Sequence, residues 1–488
     1  MISNEQPRNP SPVPEPEQDA RYSAFTPAQK RAILALAASA GWFSSVSSFI
    51  YFPAIPAVAA DLGVGTARVN LTVTAYLVAS GVFPAVAGSA ADRLGRRPAL
   101  LAALAVYLAA NIGLALQGSF AALFALRVLQ SAGISGTYAV AYGVLGDLFA
   151  PAERGGYAGV MAFFLNTPPS IGPVLSGLLL LRWGWRSIFW FLSAATPCCL
   201  VPMLLFLPET ARGIVGDGSI PASGINRAII PILTPRTDAS RTTQPLPSQS
   251  EKGASLNPLA VFRIMRFPET AIILFVYGIN YAVYSCLQAS LSTLLVETYG
   301  ISGAFVGLSY LPFGVACALA AFSTGKLLDW NYRKAASECA ITITKNKDED
   351  LTDFPIERAR LQVSKFSVLG SAVLITAYGW LFQDHTPLAG PLVLQFFIGL
   401  SIQVIFTALN TLLVDVHRKC PSTAQAACNL VRCETAAGFL AALDAIVQTI
   451  GPGWCFVLFG GLTLVLFPML FILECRGRLW RQKRARKD

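Results

Sequence analysis

The chain has 488 residues, of which 54% are hydrophobic and 13% are charged, and its mean hydropathy is +0.54. A soluble protein carries about a quarter charged residues, so this composition excludes a water-soluble surface and indicates a protein embedded in a lipid bilayer. The net charge of +10 does not indicate nucleic-acid binding, because the basic residues are neither interleaved with aromatic residues nor gathered in a soluble domain.

Twelve apolar stretches follow a polar, proline-rich N-terminal segment, residues 1–30, which is expected to be a disordered cytosolic tail. A membrane-spanning helix needs about 20 mostly apolar residues. The twelve predicted spans are 31–56, 69–91, 98–116, 121–146, 157–181, 187–207, 271–293, 303–324, 366–383, 387–413, 423–449 and 452–474. They form two six-helix bundles, 31–207 and 271–474, joined by a polar cytosolic linker, 208–270, and followed by a basic cytosolic tail, 475–488. The predicted fold is therefore an all-α polytopic membrane protein.

The distribution of Lys and Arg predicts the orientation of the spans. Placing the N-terminus in the cytosol puts 32 of the 37 basic residues on the cytosolic side. Only Arg68, Arg182 and Arg186 then lie outside, while Arg127 and Arg432 lie within spans. Cytosolic loops of membrane proteins are enriched in Lys and Arg, so we expect both termini to be cytosolic.

A metal site, a cofactor site and an enzymatic activity are not expected. The ten cysteines contain no CxxC pair, and several lie in apolar runs as small hydrophobic residues do. No GxxxxGK[ST] phosphate-binding loop is present, which argues against a nucleotide-driven pump.

Two charged stretches, GSAADRLGRRPAL at 88–100 and GKLLDWNYRK at 325–334, share the pattern G-x3-D-x3-R-[RK] after the second span of each half. The shared positions are Gly88, Asp92, Arg96 and Arg97 in the first copy and Gly325, Asp329, Arg333 and Lys334 in the second. Such a repeat indicates a secondary transporter with its site between the halves. The basic residues, including Arg93, agree with a cytosolic loop, and pure topology signalling is one interpretation. The acid at a helix C-terminus is unfavourable there unless it pairs with an arginine or another helix N-terminus, so the alternative is a latch between the halves.

The chain resembles the major facilitator superfamily over all twelve spans. The 88–100 stretch, which includes Gly95, looks like that family's loop 2–3 motif, and ALRVLQSAG at 125–133 resembles its span-4 motif through Arg127 and Gln130, with Ser131 where glycine is usual. The resemblance implies that Asp92 contacts the start of span 11, near Ser422 and Thr423, when the cytosolic side is closed.

NTPPSIGPVLSG at 166–177 is similar to the family's span-5 antiporter motif through Gly172, Pro173 and Gly177, while Pro168 and Ser176 replace two of its glycines. A proline within a span bends the helix, and the resemblance implies a role in alternating access, with a packing kink as the alternative. The segment 409–433 and LPETAR at 207–212 are similar to twelve-span fungal drug:proton antiporters of the quinidine-resistance type.

Intramembrane charges are the strongest clue to chemistry, because a lone ion at the bilayer centre costs at least about 2.5–3.5 kcal/mol. Glu434 lies near mid-depth of span 11 and is the first candidate for the proton-binding carboxylate; a structural ion pair is the alternative. Arg432 points about 200° away from Glu434 on a helix and is not its natural partner. Asp444 lies nearer the outer end. Arg127 either tunes a carboxylate or binds an anionic substrate, and the resemblance favours a coupling role.

The substrate pocket is expected among polar and aromatic residues of the spans, although such tyrosines also serve as packing or interface anchors. The candidates are Tyr138, Asn166, Asn280, Tyr281, Tyr284, Gln288, Gln403 and Asn410. Asn70-Leu71-Thr72 fits a glycosylation sequon near the outer end of span 2. Both histidines, His385 and His417, fall in loops, which argues against a histidine proton relay.

The resemblance implies a monomeric fungal plasma-membrane exporter that moves a small organic molecule out of the cytosol while protons enter. Its substrate would be a drug, a secondary metabolite or a weak organic acid. One alternative has the same fold but the opposite direction of transport: an uptake symporter for a sugar or organic acid. Another is a transporter-like sensor or scaffold that acts through the loops 208–270 and 325–365.

Overall fold

A computed structural model describes residues 22–149, 157, 161, 164, 168–235, 258–301, 304–338, 354–417 and 421–485. The secondary structure in these ranges is helical, with no strand, which confirms the predicted all-α fold. The helices of the first half are α1 Pro27–Phe49, α2 Ile55–Leu62, α3 Thr66–Leu94, α4 Arg96–Leu116, α5 Phe120–Ile134, α6 Gly136–Leu148, α7 Pro168–Trp183, α8 Arg186–Phe206 and α9 Arg212–Val215. Those of the second half are α10 Pro258–Met265, α11 Pro268–Tyr299, α12 Ala304–Leu308, α13 Leu311–Glu338, α14 Ile356–Gln383, α15 Ala389–Val416 and α16 Pro421–Ala485.

Ten helical segments of the described ranges are long and apolar enough to cross a membrane. One of them, Thr423–Arg484, contains the break between the predicted spans 11 and 12, because Gly451 has a φ of 78° that interrupts the helix. The shorter apolar helix Ile171–Trp183 covers the C-terminal part of the predicted span 5. The helices therefore agree with the twelve predicted spans.

The outside of the helix bundle is apolar. Large side chains such as Phe322, Phe366 and Val373 are at least 70% exposed, whereas tyrosines such as Tyr107 and Tyr310 are fully buried between helices. This distribution is the reverse of a soluble surface and is that of a multi-pass membrane protein.

Helices extend beyond several predicted spans. The stretch 325–334, which was assigned to a loop, lies inside α13, and α14 begins ten residues before the apolar run that starts at 366. The length of an apolar run reflects the thickness of the bilayer. The helix itself can extend further, because its backbone hydrogen bonds also form in polar sequence. At the first copy of the repeat the chain does turn, because Gly95 has a φ of 113° and separates α3 from α4.

Both described parts of the linker are attached to a bundle. The part that follows α8 packs on the first half: Ile230 donates its backbone N–H to the Leu205 carbonyl at 2.8 Å, and the Arg212 guanidinium donates to the Tyr22 carbonyl at 2.7 Å. The part that precedes α11 forms α10, which packs against α11 and α16 of the second half. The described parts of the predicted linker 208–270 are therefore packed on the helices that they adjoin.

The two halves meet through equivalent helices. The second span of the first half, α3, packs against the fifth span of the second half, which is the first limb of α16. Conversely α7, in the fifth span of the first half, packs against α12 and α13 in the second span of the second half. These two contacts form the interface between the halves, and they place α3 and α16 side by side in it.

Candidate functional site

Polar contacts cross the interface between the halves along the antiparallel helices α3 and α16. The Asn70 Nδ2 donates to the Asp444 Oδ2 at 2.7 Å, and the Asn429 Nδ2 donates to the Ser80 carbonyl at 2.9 Å. The interface thus carries a row of polar groups from both halves at the depth of the apolar spans, where polar groups are costly unless they have a function or a partner.

Glu434 lies in this interface against Gly81. A Cβ atom at Gly81 would lie 2.7 Å from the Glu434 Oε1, so the end of the glutamate side chain packs directly against this glycine. That oxygen is buried and has no hydrogen-bond partner among the described residues. Glu434 is therefore a carboxylate at mid-interface that no cation of the described chain neutralises.

Arg432 turns away from Glu434, as their spacing predicted. Its Nε and Nη2 donate to the Asn429 Oδ1 at 3.1 and 2.8 Å, and its guanidinium lies 5.0 Å from the centre of the Tyr281 ring. Since Asn429 also bonds to Ser80, Arg432 holds the side chain that connects the two halves. Asn429 was not among the predicted site residues.

Arg127 is 1% exposed and lies between two tyrosine rings, 4.3 Å from Tyr51 and 4.4 Å from Tyr76. Its Nη1 donates to the Gln130 Oε1 at 2.6 Å, and Gln130 in turn donates to Asn111 at 2.7 Å. No carboxylate of the described chain lies within salt-bridge distance of it, and its Nε and Nη2 have no acceptor there. In this conformation the positive charge of Arg127 is stabilised by cation–π contacts and not by a carboxylate.

The predicted antiporter motif lies where α7 meets the second half. A Cβ atom at Gly307 in α12 would lie 2.5 Å from the Pro173 carbonyl oxygen and 2.8 Å from the Gly177 Cα. Gly172 faces the first half instead, and a Cβ atom there would lie 3.2 Å from the Ile50 backbone nitrogen. The motif thus permits close backbone contact on two sides of α7, and Gly307 is its partner that sequence reasoning missed.

Two of the predicted pocket tyrosines belong to an aromatic cluster. The Tyr284 ring stacks on Phe313 with centres 5.3 Å apart and contacts Phe49 of the first half at 5.9 Å. Tyr281 lies 6.1 Å from Phe406. One turn further along α11, Gln288 is 1% exposed, and neither of its amide atoms has a hydrogen-bond partner among the described residues.

The other predicted pocket residues are dispersed. Tyr138 is 38% exposed and contacts Tyr142, and the Asn280 Nδ2 donates to the backbone carbonyl one helical turn before it. Gln403 donates to Thr407 at 3.2 Å, and Asn410 accepts from Gln425 at 2.7 Å. Asn166 lies outside the described residues.

The first charged stretch forms one end of the molecule, where α3 meets α4, called here the arginine-rich end. Asp92 pairs with Arg96 at 2.6 Å, and the Arg96 Nε donates to the Asp147 Oδ2 at 3.0 Å. Asp92 stays 39% exposed and pairs within its own half. Gly88 is half-buried, Arg93 is exposed, and the side chains of Asp329 and Ser422 lie outside the described part.

Glu209 caps the start of α4 at the same end. Its carboxylate accepts from the backbone N–H groups of Arg96 at 2.8 Å and Arg97 at 3.2 Å, and a Cβ atom at Gly95 would overlap it. The buried Arg97 guanidinium donates to the carbonyls of Leu207 and Leu204 at 2.9 and 2.7 Å and to that of Ile225. A buried carboxylate at a helix N-terminus is favourable, so the LPETAR segment locks the first charged stretch in place.

Replacing Glu209 by alanine is expected to destabilise the first half by at least about 3 kcal/mol. The substitution leaves buried backbone N–H groups without an acceptor, and a hydrogen bond to a charged group contributes about 1.5–3 kcal/mol. Thermal unfolding in detergent measures the effect, with alanine at the exposed Glu338 as the control for removal of a surface carboxylate. An unchanged unfolding midpoint in Glu209→Ala would contradict the assigned role.

The ion pair that Arg96 makes in the first half has a counterpart in the second half, but the counterpart is made by Arg360 and not by Arg333. The Arg360 Nε donates to the Asp415 Oδ2 at 3.0 Å, through the same atoms and at the same distance as Arg96 and Asp147. Arg333, the predicted equivalent of Arg96, is exposed on α13, because that helix continues past it and no turn places it at a helix start. Gly325 is half-buried in the same helix.

The structure disagrees with glycosylation at Asn70. The side chain is 2% exposed, and its Nδ2, which would carry the glycan, instead donates to Asp444 across the interface of α3 and α16. A glycan on that atom does not fit between the packed helices.

His417 is not a proton carrier at neutral pH. Its Nε2 lies 2.6 Å from the Thr270 Oγ1, and burial together with the nearby Arg484 charge lowers its pKa to about 4. The ring is therefore neutral and serves to join α11 to the end of α15.

Comparisons with known proteins agree on one family. The profile of the Major Facilitator Superfamily matches residues 37–442. The chain is similar to the fungal MFS-type transporter phiD (38% identity; 96% of this chain and 72% of that protein), to the Candida glabrata multidrug transporter QDR2 (34%; 96% and 84%) and to citrate exporter 1 of Aspergillus niger (33%; 96% and 89%). Its fold is similar to that of the human organic anion transporter MFSD10, with a TM-score of 0.56 at 16% identity over 90% of this chain and 99% of that one.

Proposed function

Since the chain belongs to the major facilitator superfamily, whose members are membrane transporters and not enzymes, we propose that it exports a small organic molecule from the cytosol in exchange for protons. The names of similar fungal proteins, a multidrug transporter and a citrate exporter, favour export over uptake. A drug, a secondary metabolite or a weak organic acid is the proposed cargo. We place the protein in the plasma membrane as a monomer.

The observation that carries proton exchange is the Glu434 carboxylate, which faces Gly81 in the interface of the halves without a neutralising cation. Proton binding there would remove a charge from the contact between α3 and α16 and so change which arrangement of the halves is favoured. Arg127 and Gln130 are proposed to support this change through the tyrosine pair that borders α3.

The contacts between the halves support the proposed alternating access. With both termini in the cytosol, the arginine-rich end is cytosolic, and the contacts of Asn70 with Asp444 and of Gly307 with α7 lie towards the outside. The conformation described here is then closed outside. In the opposite conformation, we propose that Asp92 leaves Arg96 and meets the start of α16 near Ser422 and Thr423, which closes the cytosolic side.

The substrate is proposed to bind beside the aromatic cluster of α11. Tyr281 and Tyr284 offer ring faces, and Gln288 supplies two amide atoms that lack partners among the described residues. Tyr138, Asn280, Gln403 and Asn410 would line the crevice at other depths. An apolar pocket with a few polar groups fits amphipathic molecules.

Proteoliposomes test the exchange. An outward gradient of citrate or of an amphipathic drug should drive protons in the opposite direction, read by a pH-sensitive dye trapped in the lumen. Movement of protons and substrate in the same direction would instead establish an uptake symporter. Absence of coupled movement for every compound tested would favour the sensor or scaffold and end the proposal.

A further inference from the structure

Asn70 and Asp444 form the polar contact that lies furthest from the arginine-rich end along the interface of α3 and α16. Asn70 is 2% exposed and lies in the first turns of α3, and Asp444 is half-buried near the end of the first limb of α16. The Asn70 Nδ2 donates to the Asp444 Oδ2 at 2.7 Å. Opening this end of the crevice requires that this bond break.

The contact leaves one atom unsatisfied. The Asn70 Oδ1 is buried and has no hydrogen-bond donor among the described residues. An ionised carboxylate only accepts hydrogen bonds, so Asp444 in that form cannot serve this oxygen. A protonated Asp444 can, because its O–H donates to the Asn70 Oδ1 while its carbonyl oxygen still accepts from the Asn70 Nδ2. The neutral acid and the amide then form a cyclic pair with two hydrogen bonds.

We infer that Asp444 and Asn70 together form a proton-binding site that keeps the outer end of the crevice closed while the proton is bound. The inference deepens the proposed proton exchange and rests on it for the direction of transport. Asn70 acts as a positioning residue, and Asp444 carries the proton.

The surroundings of Asp444 fit this role. From α11, the carboxylate of Glu297 and the thiol of Cys286 interact electrostatically with Asp444. From α3, its partner is the Asn70 amide. No lysine or arginine of the described chain lies within salt-bridge distance. An ionised Asp444 would face another carboxylate and an unpaired carbonyl oxygen, whereas the neutral acid completes the pair with Asn70.

The site gives a physical reason for the direction in which protons move. When the crevice is open to the outside, Asp444 takes up a proton, and the second hydrogen bond favours closure of that end. Loss of the proton removes that bond and lets the outer end open again. Proton binding therefore drives the halves towards the cytosol-facing arrangement, which is the direction a proton must travel in an exporter.

Amide hydrogen exchange of the purified full-length protein in lipid nanodiscs tests the site. After correction for the intrinsic pH dependence of amide exchange, residues 66–73 and 440–449 should exchange about tenfold faster at a pH at which Asp444 is ionised than at a pH at which it is protonated. Asp444→Asn should stay protected at every pH, since its amide forms both bonds without a proton. Asn70→Ala should exchange fast at every pH. Glu338→Gln, which removes an exposed carboxylate on α13 outside this interface, is the control and should keep the wild-type pH dependence.

Infrared difference spectra provide a readout of the proton itself. The C=O stretching band of a protonated carboxyl should disappear in Asp444→Asn and shift in Asn70→Ala. A wild-type pH dependence of exchange that persists in Asp444→Asn, or in Asn70→Ala, overturns the inference. Proton-driven export in proteoliposomes can remain intact in that event. If hydrogen exchange depends on the protonation of Asp444 but no coupled flux is seen in proteoliposomes, the proton-binding site is established. The proposed export is then wrong.

Discussion

Glu434→Gln is expected to abolish proton-driven export while substrate binding stays measurable. Glutamine has the shape of glutamate and fits against Gly81, where the Oε1 atom lies, but it does not exchange a proton. One proton per neutral molecule supplies about 2.3 kcal/mol per 100 mV of membrane potential, which sustains about a 50-fold concentration ratio. In proteoliposomes with an imposed potential, that ratio should fall to one in the variant.

Glu434→Asp is the matched variant for this prediction. It keeps a titratable carboxyl at a shorter reach, so export should be slower but still driven by protons. Substrate binding, measured by equilibrium binding to detergent-purified protein, should be similar in both variants. Export by Glu434→Gln with the pH dependence of the wild type would remove Glu434 from the mechanism.

Gly307→Ala should prevent the outer end of the crevice from closing and so reduce transport strongly. The added methyl group would lie 2.5 Å from the Pro173 carbonyl oxygen and 2.8 Å from the Gly177 Cα. Both atoms belong to the backbone of α7 and cannot move aside as a flexible side chain can. Overpacking of this kind costs about 1–3 kcal/mol, which shifts the balance of conformations about 5- to 150-fold against closure.

Gly438→Ala is the control for the glycine substitution. Gly438 is exposed on α16, and a Cβ atom there meets nothing within 4 Å, so transport should remain near wild type. Hydrogen exchange should show residues 304–308 more exposed in Gly307→Ala and unchanged in Gly438→Ala. Equal transport rates in the two variants would exclude the close contact of α7 and α12 as a requirement for the cycle.

The helices could be predicted from the sequence because a helix that crosses the bilayer needs a continuous apolar stretch of a defined length. Twelve apolar runs of the required length identified the spans, and the structure differs mainly at helix ends, as at α13 and α14. Those ends lie in polar sequence, where hydropathy carries no information about the backbone. The break at Gly451 agreed with the predicted boundary between spans 11 and 12.

The contacts of the site could be predicted only in part, because they join residues far apart in the chain. The spacing of Arg432 and Glu434 showed that they face different neighbours, but it did not identify Asn429 or Gly81. Likewise, no feature near Arg127 indicates that Tyr51, from the turn after α1, and Tyr76, from α3, enclose it.

The repeat shows the same limit. A pattern match aligned Arg96 with Arg333, whereas the shared ion pair aligns it with Arg360, whose partner Asp415 lies 55 positions along the chain. The two ion pairs are equivalent because each joins an arginine near the start of one helix to an aspartate near the end of another. Helix packing, and not the local sequence, determines which helices meet in this way.

The attachment of the linker to both bundles changes what the covalent connection does. The described residues up to 235 contact the first half and those from 258 contact the second, so 22 positions of sequence separate the two attached parts. A chain of this length, fully extended, spans about 75 Å. The covalent connection would therefore permit the displacement that the proposed alternating access requires, and the helix contacts between the halves would set its limits.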